Sequence, residues 1–337
     1  MSSMKTNIKH IAIVRLSALG DIINSAIVLQ FLHDNFKDIK VDWITEEMFA
    51  PILVGHPLIN KVHTLNLKKL KKERSFSLLK QTIKDIKSFG KYDLVIDMQG
   101  LIKSAIVTYL LGKNRHGFDK NSTRESLAAL FYKTTSSIPY ESNVVKRNSF
   151  VVADALGFSL HDNMILNKTP IFPINTHFEL RSDTKNIALV IGASWASKIY
   201  PKELIVQVCE KLQEQCYIIW GNEKEKKEAE WICEQSIYAT LAPKLTLAEL
   251  VSFISQMDLT IGNDTGPTHI AWAQNIASIT LFGPTNSRMI YETAQNRYLK
   301  SPSKVNILKI NKNDFSIREI KVDDIITLSK QLLHKEL

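Results

Sequence analysis

The stretch that decides the fold runs from His10 to Asn35 and reads HIAIVRLSALGDIINSAIVLQFLHDN. Its first part, His10–Arg15, is short, apolar and β-branched, which predicts a buried strand. A helical pattern follows over Ile22–Asn35, after a turn that contains Gly20 and Asp21. A strand that passes through a tight turn into a helix begins a βαβ unit, so we expect a parallel sheet with helices on both faces.

The same alternation of strands and helices recurs along the chain. Further strands are predicted at Val41–Thr45, Lys61–Leu65, Leu94–Met98, Asn186–Ile191, Tyr217–Trp220, Leu259–Ile261 and Ser278–Phe282. Further helices are predicted at Ser75–Phe89, Pro201–Gln215, Glu223–Ser236, Leu247–Gln256, Pro267–Gln274 and Val322–His334. The proline-bearing segment Leu166–Lys185 suits a connection between domains. We therefore expect two doubly wound α/β domains, over residues 1–170 and 171–337.

Composition narrows the classes of function. The 337 residues carry a formal net charge of +9, which favours anionic partners, yet neither zinc-finger spacing nor an RNA-binding aromatic motif is present, so nucleic acid is not expected. No apolar run reaches the roughly 20 residues of a membrane-spanning helix. The three cysteines lack metal or redox spacing and are expected to be reduced and buried. A cytoplasmic protein is the expectation.

Asp21 is the first candidate for chemistry, because it follows the first strand and stands at the start of a helix. Gly20 beside it permits a close approach of the backbone to a ligand. Position alone favours the simpler alternative that Asp21 caps the helix. The turn has no Gly-x-Gly-x-x-Gly pattern, which disfavours a nicotinamide dehydrogenase.

Candidate anion-binding turns follow strands of the second half. Small residues and hydroxyls precede Lys198 in GASWASK, residues 192–198, and the turn GNDTGPTH, residues 262–269, leads into a helix whose positive end could face an anion. Glu225 could accept hydrogen bonds from ribose hydroxyls. The alternatives are a solvated lysine, a packed histidine at His269 and, for Glu225, an acid that complements a helix dipole.

The sequence also contains features that bear on the binding of anions, metals and lipid. The turn FGPTN, residues 282–286, repeats the anion-binding design, whereas no pattern of dedicated metal ligands is present, so neither a metal nor another cofactor is expected. The basic run Lys68–Arg74 is most simply a solvated face, but it could contact anionic lipid.

Five motifs, in this order, resemble the bacterial heptosyltransferases of glycosyltransferase family 9, which build the lipopolysaccharide inner core. The motifs are RLSALGD at 15–21, DWITEEMFA at 42–50, DMQGLIKS at 97–104, TRESLAALFY at 123–132 and DTGPTH at 264–269. The likeness covers nearly the whole chain, and the segment at 123–132 points to the type I enzymes rather than type II.

The resemblance implies a GT-B fold, in which two Rossmann-like domains face each other across a cleft, and an inverting, metal-independent transfer of heptose from ADP-heptose to a Kdo residue of Kdo-lipid A. The first domain would bind the acceptor and the second the ADP-sugar. It implies Asp21 as the catalytic base and Gly20, Lys103 and Arg124 on the acceptor side. The donor-binding positions that it implies are Ser194, Trp195, Lys198, Glu225, Leu245, Asp264, Thr265, Gly266 and His269. The family commonly has paired threonines ahead of this lysine, so either Ser194 or Trp195 could take the phosphate-contacting position.

Other functions remain open on the sequence. A type II heptosyltransferase, or another nucleotide-sugar transferase of the family, would share these motifs. A non-catalytic nucleotide-sugar-binding module could also be built from two such domains. A lipid-linked acceptor would place the protein peripherally on the cytoplasmic face of the inner membrane.

Overall fold

The computed structural model describes residues 8–334, and the chain divides into two compact units between Ile171 and Phe172. Each unit contains one six-stranded sheet, and every pair of neighbouring strands is parallel. Parallel neighbours require crossover connections, which the helices supply. The fold class predicted from the sequence, α/β with two doubly wound sheets, is confirmed.

The first unit is built around its amino-terminal strand. Its strands are β1 (His10–Val14), β2 (Lys40–Glu46), β3 (Lys61–Leu65), β4 (Leu94–Asp97), β5 (Arg115–Phe118) and β6 (Thr134–Ser136). Its helices are α1 (Leu19–Ala26), α2 (Val28–Asn35), α3 (Leu67–Glu73), α4 (Phe76–Ser88), α5 (Ile102–Leu111), α6 (Val144–Leu156) and α7 (Asp162–Leu166), with short 3-10 helices at Glu47–Ile52 and Ser126–Phe131.

The second unit repeats the plan. Its strands are β7 (Asn186–Val190), β8 (Gln215–Ile219), β9 (Ala239–Leu241), β10 (Leu259–Asn263), β11 (Ala277–Phe282) and β12 (Asn296–Lys300). Its helices are α8 (Lys202–Leu212), α9 (Glu223–Gln235), α10 (Leu247–Ile254), α11 (Gly266–Ala273) and α12 (Val322–His334), with 3-10 helices at Ala196–Lys198, Ser287–Met289 and Ser316–Glu319.

The strand order is the same in both sheets. It is β3-β2-β1-β4-β5-β6 in the first unit and, read in the same sense, β9-β8-β7-β10-β11-β12 in the second. In such a doubly wound sheet the order reverses beside the first strand, and ligands bind beyond the carboxyl ends of the strands at that point. The fold therefore marks two places, the ends of β1 and β4 and the ends of β7 and β10.

Burial explains why the first strand of each unit reads as a continuous apolar run. Residues 11–14 of β1 and 187–189 of β7 are fully buried, since helices cover both faces of the sheet. In the second unit α12 packs against α8 and adds Ile325, Ile326 and Leu332 to the core.

Several element boundaries differ from the sequence prediction. The helix predicted over Ile22–Asn35 begins at Leu19 and is two helices, because the helical hydrogen-bond pattern is interrupted at Ile27. The helix predicted to end at Gln215 ends at Leu212, and Gln213 adopts a left-handed conformation (φ +56°) that stops it. Gln215 is instead the first residue of β8.

Three further expectations concern the connection between the domains, the burial of the cysteines and the presence of a membrane-spanning helix. Residues 167–185 form no helix or strand, yet Ile171 and Phe172 are buried. Cys209 and Cys216 are buried as expected, whereas Cys233 is only half-buried. Between residues 8 and 334, no helix combines the length and the apolar character needed to cross a membrane.

Candidate functional site

Asp21 lies in the first turn of α1, immediately beyond the carboxyl end of β1. One carboxylate oxygen, Oδ1, lies 2.8 Å from Nη2 of Arg15, and Oδ2 accepts a hydrogen bond of 3.1 Å from the backbone N–H of Ala18. The side chain is 26% exposed, so a ligand can reach it. Asp21 therefore does cap the helix, and it also presents a partly open carboxylate at the point where the strand order reverses.

The loop after β4 holds the backbone that precedes Asp21. The side-chain carbonyl of Gln99 accepts hydrogen bonds from the backbone N–H groups of Leu16 (2.8 Å) and Ser17 (3.3 Å). Arg15 donates to the carbonyl of Met98. These contacts couple the ends of β1 and β4 and fix the position of the turn.

A buried carboxylate supports that loop from below. Asp97 accepts hydrogen bonds from the backbone N–H groups of Gln99 (2.7 Å) and Gly100 (3.1 Å) and from the Tyr132 hydroxyl (2.7 Å). Burial raises the pKa of Asp97 even though these donors oppose the shift. Asp97 is thus a positioning residue within the family-like motif at 97–104.

Lys103 and Arg124, the two basic positions assigned to the acceptor side, lie near this turn. Nζ of Lys103 donates to the Ser17 hydroxyl at 2.8 Å and lies 3.9 Å from the carboxylate of Glu46. Burial lowers the pKa of Lys103, and Glu46 partly offsets that shift. Arg124 is exposed and has no hydrogen-bond or ion-pair partner within residues 8–334. Its neighbour Glu125 accepts from the N–H of Ile102 at 2.8 Å, which holds the Arg124 segment at the start of α5.

In the second unit Lys198 and Asp264 form a buried ion pair at the ends of β7 and β10. Nζ of Lys198 lies 2.8 Å from Oδ2 of Asp264 and also donates to the Asp264 carbonyl, while Nε2 of His269 lies 3.1 Å from Oδ1. Burial opposes ionisation of Asp264, but Lys198 and His269 outweigh it and hold the pKa of this carboxyl well below its usual range. Lys198 is therefore not the solvated loop lysine that the simpler alternative supposed.

Two lysine side chains lie close to the indole ring of Trp195. Nζ of Lys198 is 5.2 Å from the centre of the indole ring, and Nζ of Lys312 is 5.1 Å from it. Ser194 is exposed beside this ring. Lys312 was not expected from the sequence, because it lies in an irregular segment far along the chain from Trp195.

Asn263 ties the two turns together. Its side chain accepts from the N–H of Tyr200 at 3.1 Å and donates to the carbonyl of Ile191 at 2.9 Å. Its own carbonyl accepts from the Thr268 hydroxyl at 2.7 Å. The loop that carries Lys198 and the start of α11, which includes Thr265 and Gly266, are consequently held as one rigid edge.

Glu225 lies in the first turn of α9, which follows the neighbouring strand β8, as the helix-dipole alternative supposed. Its Oε2 accepts a hydrogen bond of 2.7 Å from the N–H of Gly221. A Cβ atom at Gly192 would lie 2.6 Å from the Glu225 carboxylate, so any larger residue there would displace that carboxylate. Leu245, half-buried, follows β9 at the edge of the sheet and directly precedes the Thr246 that caps α10.

Four buried polar groups at this edge have no hydrogen-bond partner within the part of the chain that the structure describes. They are Nε1 of Trp195, Oγ of Ser197, Oγ1 of Thr265 and Oγ1 of Thr285. They follow β7, β10 and β11, which are adjacent strands. Buried donors without partners are costly, and a ligand with several acceptor oxygens would satisfy them. Thr285 belongs to the second turn that the sequence singled out.

The structure thus groups the predicted residues into two sets. Gly20, Asp21, Lys103 and Arg124 surround the β1 and β4 ends, and the remaining positions follow β7, β8, β9 and β10. In neither set do three His, Cys, Asp or Glu side chains between residues 8 and 334 come together as a metal site would require.

Comparison with known proteins identifies the family of the chain. The model of glycosyltransferase family 9 (heptosyltransferase) matches residues 80–311. Lipopolysaccharide heptosyltransferase 1 of Campylobacter coli is 39% identical over 97% of this chain and 99% of its own length. The enzyme of the same name from Pseudomonas aeruginosa is 29% identical over 82% of this chain and 79% of its own length.

A solved structure shares the fold across both units. The E. coli heptosyltransferase WaaC with ADP-2-deoxy-2-fluoro heptose superimposes with a TM-score of 0.78 at 23% identity, covering 96% of this chain and 99% of that one. The two six-stranded sheets are therefore the Rossmann-like sheets of a GT-B glycosyltransferase. With a family model that matches most of its length and a relative at 39% identity, the chain belongs to glycosyltransferase family 9, the heptosyltransferases.

Proposed function

We propose that this heptosyltransferase moves L-glycero-D-manno-heptose from ADP-heptose to Kdo of Kdo-lipid A in lipopolysaccharide inner-core biosynthesis. The observation that carries the proposal is the 39% identity, over nearly the full length of both chains, to a lipopolysaccharide heptosyltransferase 1. The structure of the E. coli enzyme with an ADP-heptose analogue supports the identity of the donor.

The second unit is the proposed donor site. The orphaned donors of Trp195, Ser197, Thr265 and Thr285 suit the oxygens of a diphosphate. The amino terminus of α11 adds a partial positive charge, and Lys312 adds a full one. Lys198 already neutralises Asp264, so its role is to offer its remaining N–H and to keep the Asp264 charge from repelling the phosphates.

Glu225 is the proposed partner of the ribose hydroxyls, and Leu245 the proposed apolar contact of the adenosine. A carboxylate at a strand end accepts hydrogen bonds from a ribose in many nucleotide sites. The Glu225 carboxylate lies against Gly192, at the start of the loop that carries Lys198, which supports the assignment. Asp264, Thr265, Gly266 and His269 form the turn that would approach the phosphates.

The first unit is the proposed acceptor site, and Asp21 the catalytic base. An acceptor hydroxyl would lose its proton to the partly exposed carboxylate as it attacks the anomeric carbon in line with the departing ADP. One displacement inverts the configuration, and no covalent sugar intermediate forms. Gly20, Lys103 and Arg124 would position the acid groups of the acceptor through backbone and charge.

We further propose that the transfer needs no metal. Charge that develops on the leaving diphosphate would be stabilised by prearranged protein groups, namely the α11 terminus, Lys198 and Lys312. Addition of a chelator to purified enzyme should then leave turnover unchanged, and restoration of lost turnover by a divalent cation would contradict this part of the proposal.

The function is tested by incubating the protein with ADP-heptose and Kdo-lipid A and following ADP release together with the mass of the lipid product. Acceptor-dependent ADP release and one added heptose are expected. ADP binding without turnover would instead support a non-catalytic nucleotide-sugar-binding module. A lipooligosaccharide heptosyltransferase 2 of Campylobacter jejuni is 26% identical over 79% of this chain, so a heptosylated acceptor is the second substrate to try. Preference for that acceptor would assign the chain to type II.

A lipid-linked acceptor places the enzyme on the cytoplasmic face of the inner membrane in this proposal. Helix α3 contains residues 68–73 of the basic run, Arg74 follows it in a left-handed conformation that ends the helix, and no residue of that helix is buried. Attraction of such a run to anionic lipid weakens with salt. Binding to anionic vesicles should therefore fall as salt is raised.

A further inference from the structure

Helix α5 and the 3-10 helix Ser126–Phe131 present five large apolar side chains to solvent. These are Ile102, Ile106, Tyr109, Leu127 and Leu130, with exposed fractions from 37% for Ile102 to 79% for Leu130. Single exposed apolar residues are common on protein surfaces, but a group of them marks an interaction site. We refer to these five residues as the apolar patch.

The backbone geometry groups the apolar side chains on one face of each helix. Ile102, Ile106 and Tyr109 are spaced four and three residues apart on α5, so they share one face of the helix. Leu127 and Leu130 are three residues apart in a 3-10 helix, where such side chains eclipse one another.

The two helices are also packed together. Ala105 of α5 and Ala128 of the 3-10 helix lie in one small core cluster beneath the patch. The rings of Tyr109 and Phe131 meet at 6.0 Å, edge to face. The two helices that carry the apolar patch therefore pack against each other, and the five exposed side chains are not needed to fill the core.

Basic side chains border the patch at both ends. Lys103 and Arg124 lie at the start of the two helices, and Arg115 lies over the Tyr109 ring at 4.9 Å near their ends. Lys113 and Lys133 are exposed next to that end. The carboxylate of the neighbouring Glu125 accepts a hydrogen bond from the backbone N–H of Ile102. The rim is thus cationic.

We propose that the apolar patch is a membrane-docking surface, which inserts its side chains into the interface of an anionic bilayer while the basic rim contacts the lipid phosphates. Apolar side chains flanked by lysine and arginine are the composition that binds such interfaces. Lysine is depleted in interfaces between proteins, which disfavours a second copy as the occupant.

This inference deepens the proposed function and rests on it, because a docked patch would bring Lys103 and Arg124 to the headgroup level, where a lipid-linked acceptor lies. Docking through the apolar patch differs from attachment by the run Lys68–Arg74 alone in its dependence on salt. Attraction through charge is screened by salt, whereas burial of apolar side chains is not.

The test compares the full-length protein with a double variant, Leu127→Ser with Leu130→Ser, on vesicles of phosphatidylethanolamine and phosphatidylglycerol. Both side chains are exposed, so the variant should fold normally. In 0.5 M salt the partition of the variant into the vesicle pellet should fall about tenfold or more, the factor expected for loss of buried leucine surface. The matched control is Ile237→Ser, which removes an apolar side chain that is 90% exposed in the second unit. It should partition like the unmodified protein.

Two results would overturn the proposal. One is a double variant that partitions as the unmodified protein does. The other is a double variant that changes from dimer to monomer in sedimentation without losing vesicle binding, since the patch would then serve self-association. Transfer to a deacylated, water-soluble acceptor checks the proposed function separately, and the variant should match the unmodified protein there. If neither transfers heptose, the proposed function fails, while the vesicle measurement still decides the role of the patch.

Discussion

Asp21 combines two tasks that the sequence could only offer as alternatives. One carboxylate oxygen accepts from the backbone of Ala18 and so caps α1, and the other faces Arg15. A cap needs only a hydrogen-bond acceptor, whereas a general base needs a group that can take a proton. Substitution by asparagine separates the two tasks, because its side chain is an equally good cap but a very poor base.

We expect Asp21→Asn to lower kcat for heptose transfer by about a hundred- to ten-thousand-fold, the usual contribution of a general base. Its affinity for ADP should change little, since the proposed donor residues lie in the other unit. Its thermal unfolding midpoint should fall, because the cap is kept but the buried Arg15 loses the charge of its carboxylate partner. Stopped-assay kinetics and calorimetric titration measure these quantities. Near-normal turnover would show that another group takes the proton.

Asp264 gives a prediction with a definite sign in pH. Asp264→Asn leaves the buried Lys198 without its carboxylate, which should cost about 3 to 5 kcal/mol of unfolding free energy at pH 7. In the unmodified protein the pKa of Asp264 is held below its usual value, so the unfolded state takes up the proton first as the pH falls. The stabilisation is complete above the unfolded pKa of about 3.9 and is lost progressively below it.

Urea unfolding at pH 7, 5 and 3 measures this difference between the two proteins. The difference in unfolding free energy between Asp264→Asn and the unmodified protein should be the same at pH 7 and 5 and smaller at pH 3. Asp258→Asn is the matched control, because Asp258 forms a more exposed pair with Lys185, and such pairs contribute only about 0 to 1 kcal/mol. If the difference in unfolding free energy between Asp264→Asn and the unmodified protein stays constant down to pH 3, the assignment of the ion pair is contradicted.

Individual site residues could be predicted only where they belong to a sequence motif. The turn at 262–269 identified Asp264 and His269, but no spacing rule states that Lys198 would be buried against Asp264, 66 residues along the chain. The same holds for Lys312, which meets Trp195 only through the fold of an irregular segment. Tertiary contacts between loops carry no periodic signal.

At the scale of elements, the central strands and the edge strand β3 were predictable, whereas β5, β6, β9 and β12 were not. β1, β4, β7 and β10 are apolar because they are buried between two layers of helices. β5 contains Arg115, His116 and Gly117, and β6 and β9 have three residues each, so composition gave no strand signal for them. Neighbouring strands define these short elements more than their own residues do.

The loops after the strands yield a prediction about Gly192. An alanine Cβ there would lie 2.6 Å from the Glu225 carboxylate, whereas at Gly221 the nearest atom of Glu225 would be at an ordinary 3.4 Å. Gly192→Ala should displace the flexible end of Glu225 at little cost in stability and weaken ADP binding about tenfold, one lost charge-assisted hydrogen bond. Gly221→Ala should bind ADP normally. Calorimetric titration with ADP compares them, and equal affinities would argue against ribose recognition by Glu225.

At the scale of the molecule, one chain contains the same sheet order twice but uses the two switch points for different chemistry. The first carries a carboxylate beside basic side chains, and the second carries orphaned donors around a neutralised ion pair. The repeated alternation of strands and helices made this architecture predictable. The hydrophobic periodicity did not predict which unit would bind the donor and which the acceptor. Only the order of the motifs along the sequence supported that assignment.

This division predicts that the second unit binds donor nucleotide by itself. All six strands of its sheet, and the closing helix α12 that packs on α8, come from residues after 171, so residues 172–337 contain a complete core. Expressed alone, this fragment should show cooperative thermal unfolding and bind ADP with a Kd within about tenfold of the full chain, since every proposed donor group is present. Residues 1–171 should fold without binding ADP, and neither fragment should transfer heptose. A folded 172–337 fragment that fails to bind ADP would show that the first unit contributes to the donor site, and the assignment of the two units would have to be redrawn.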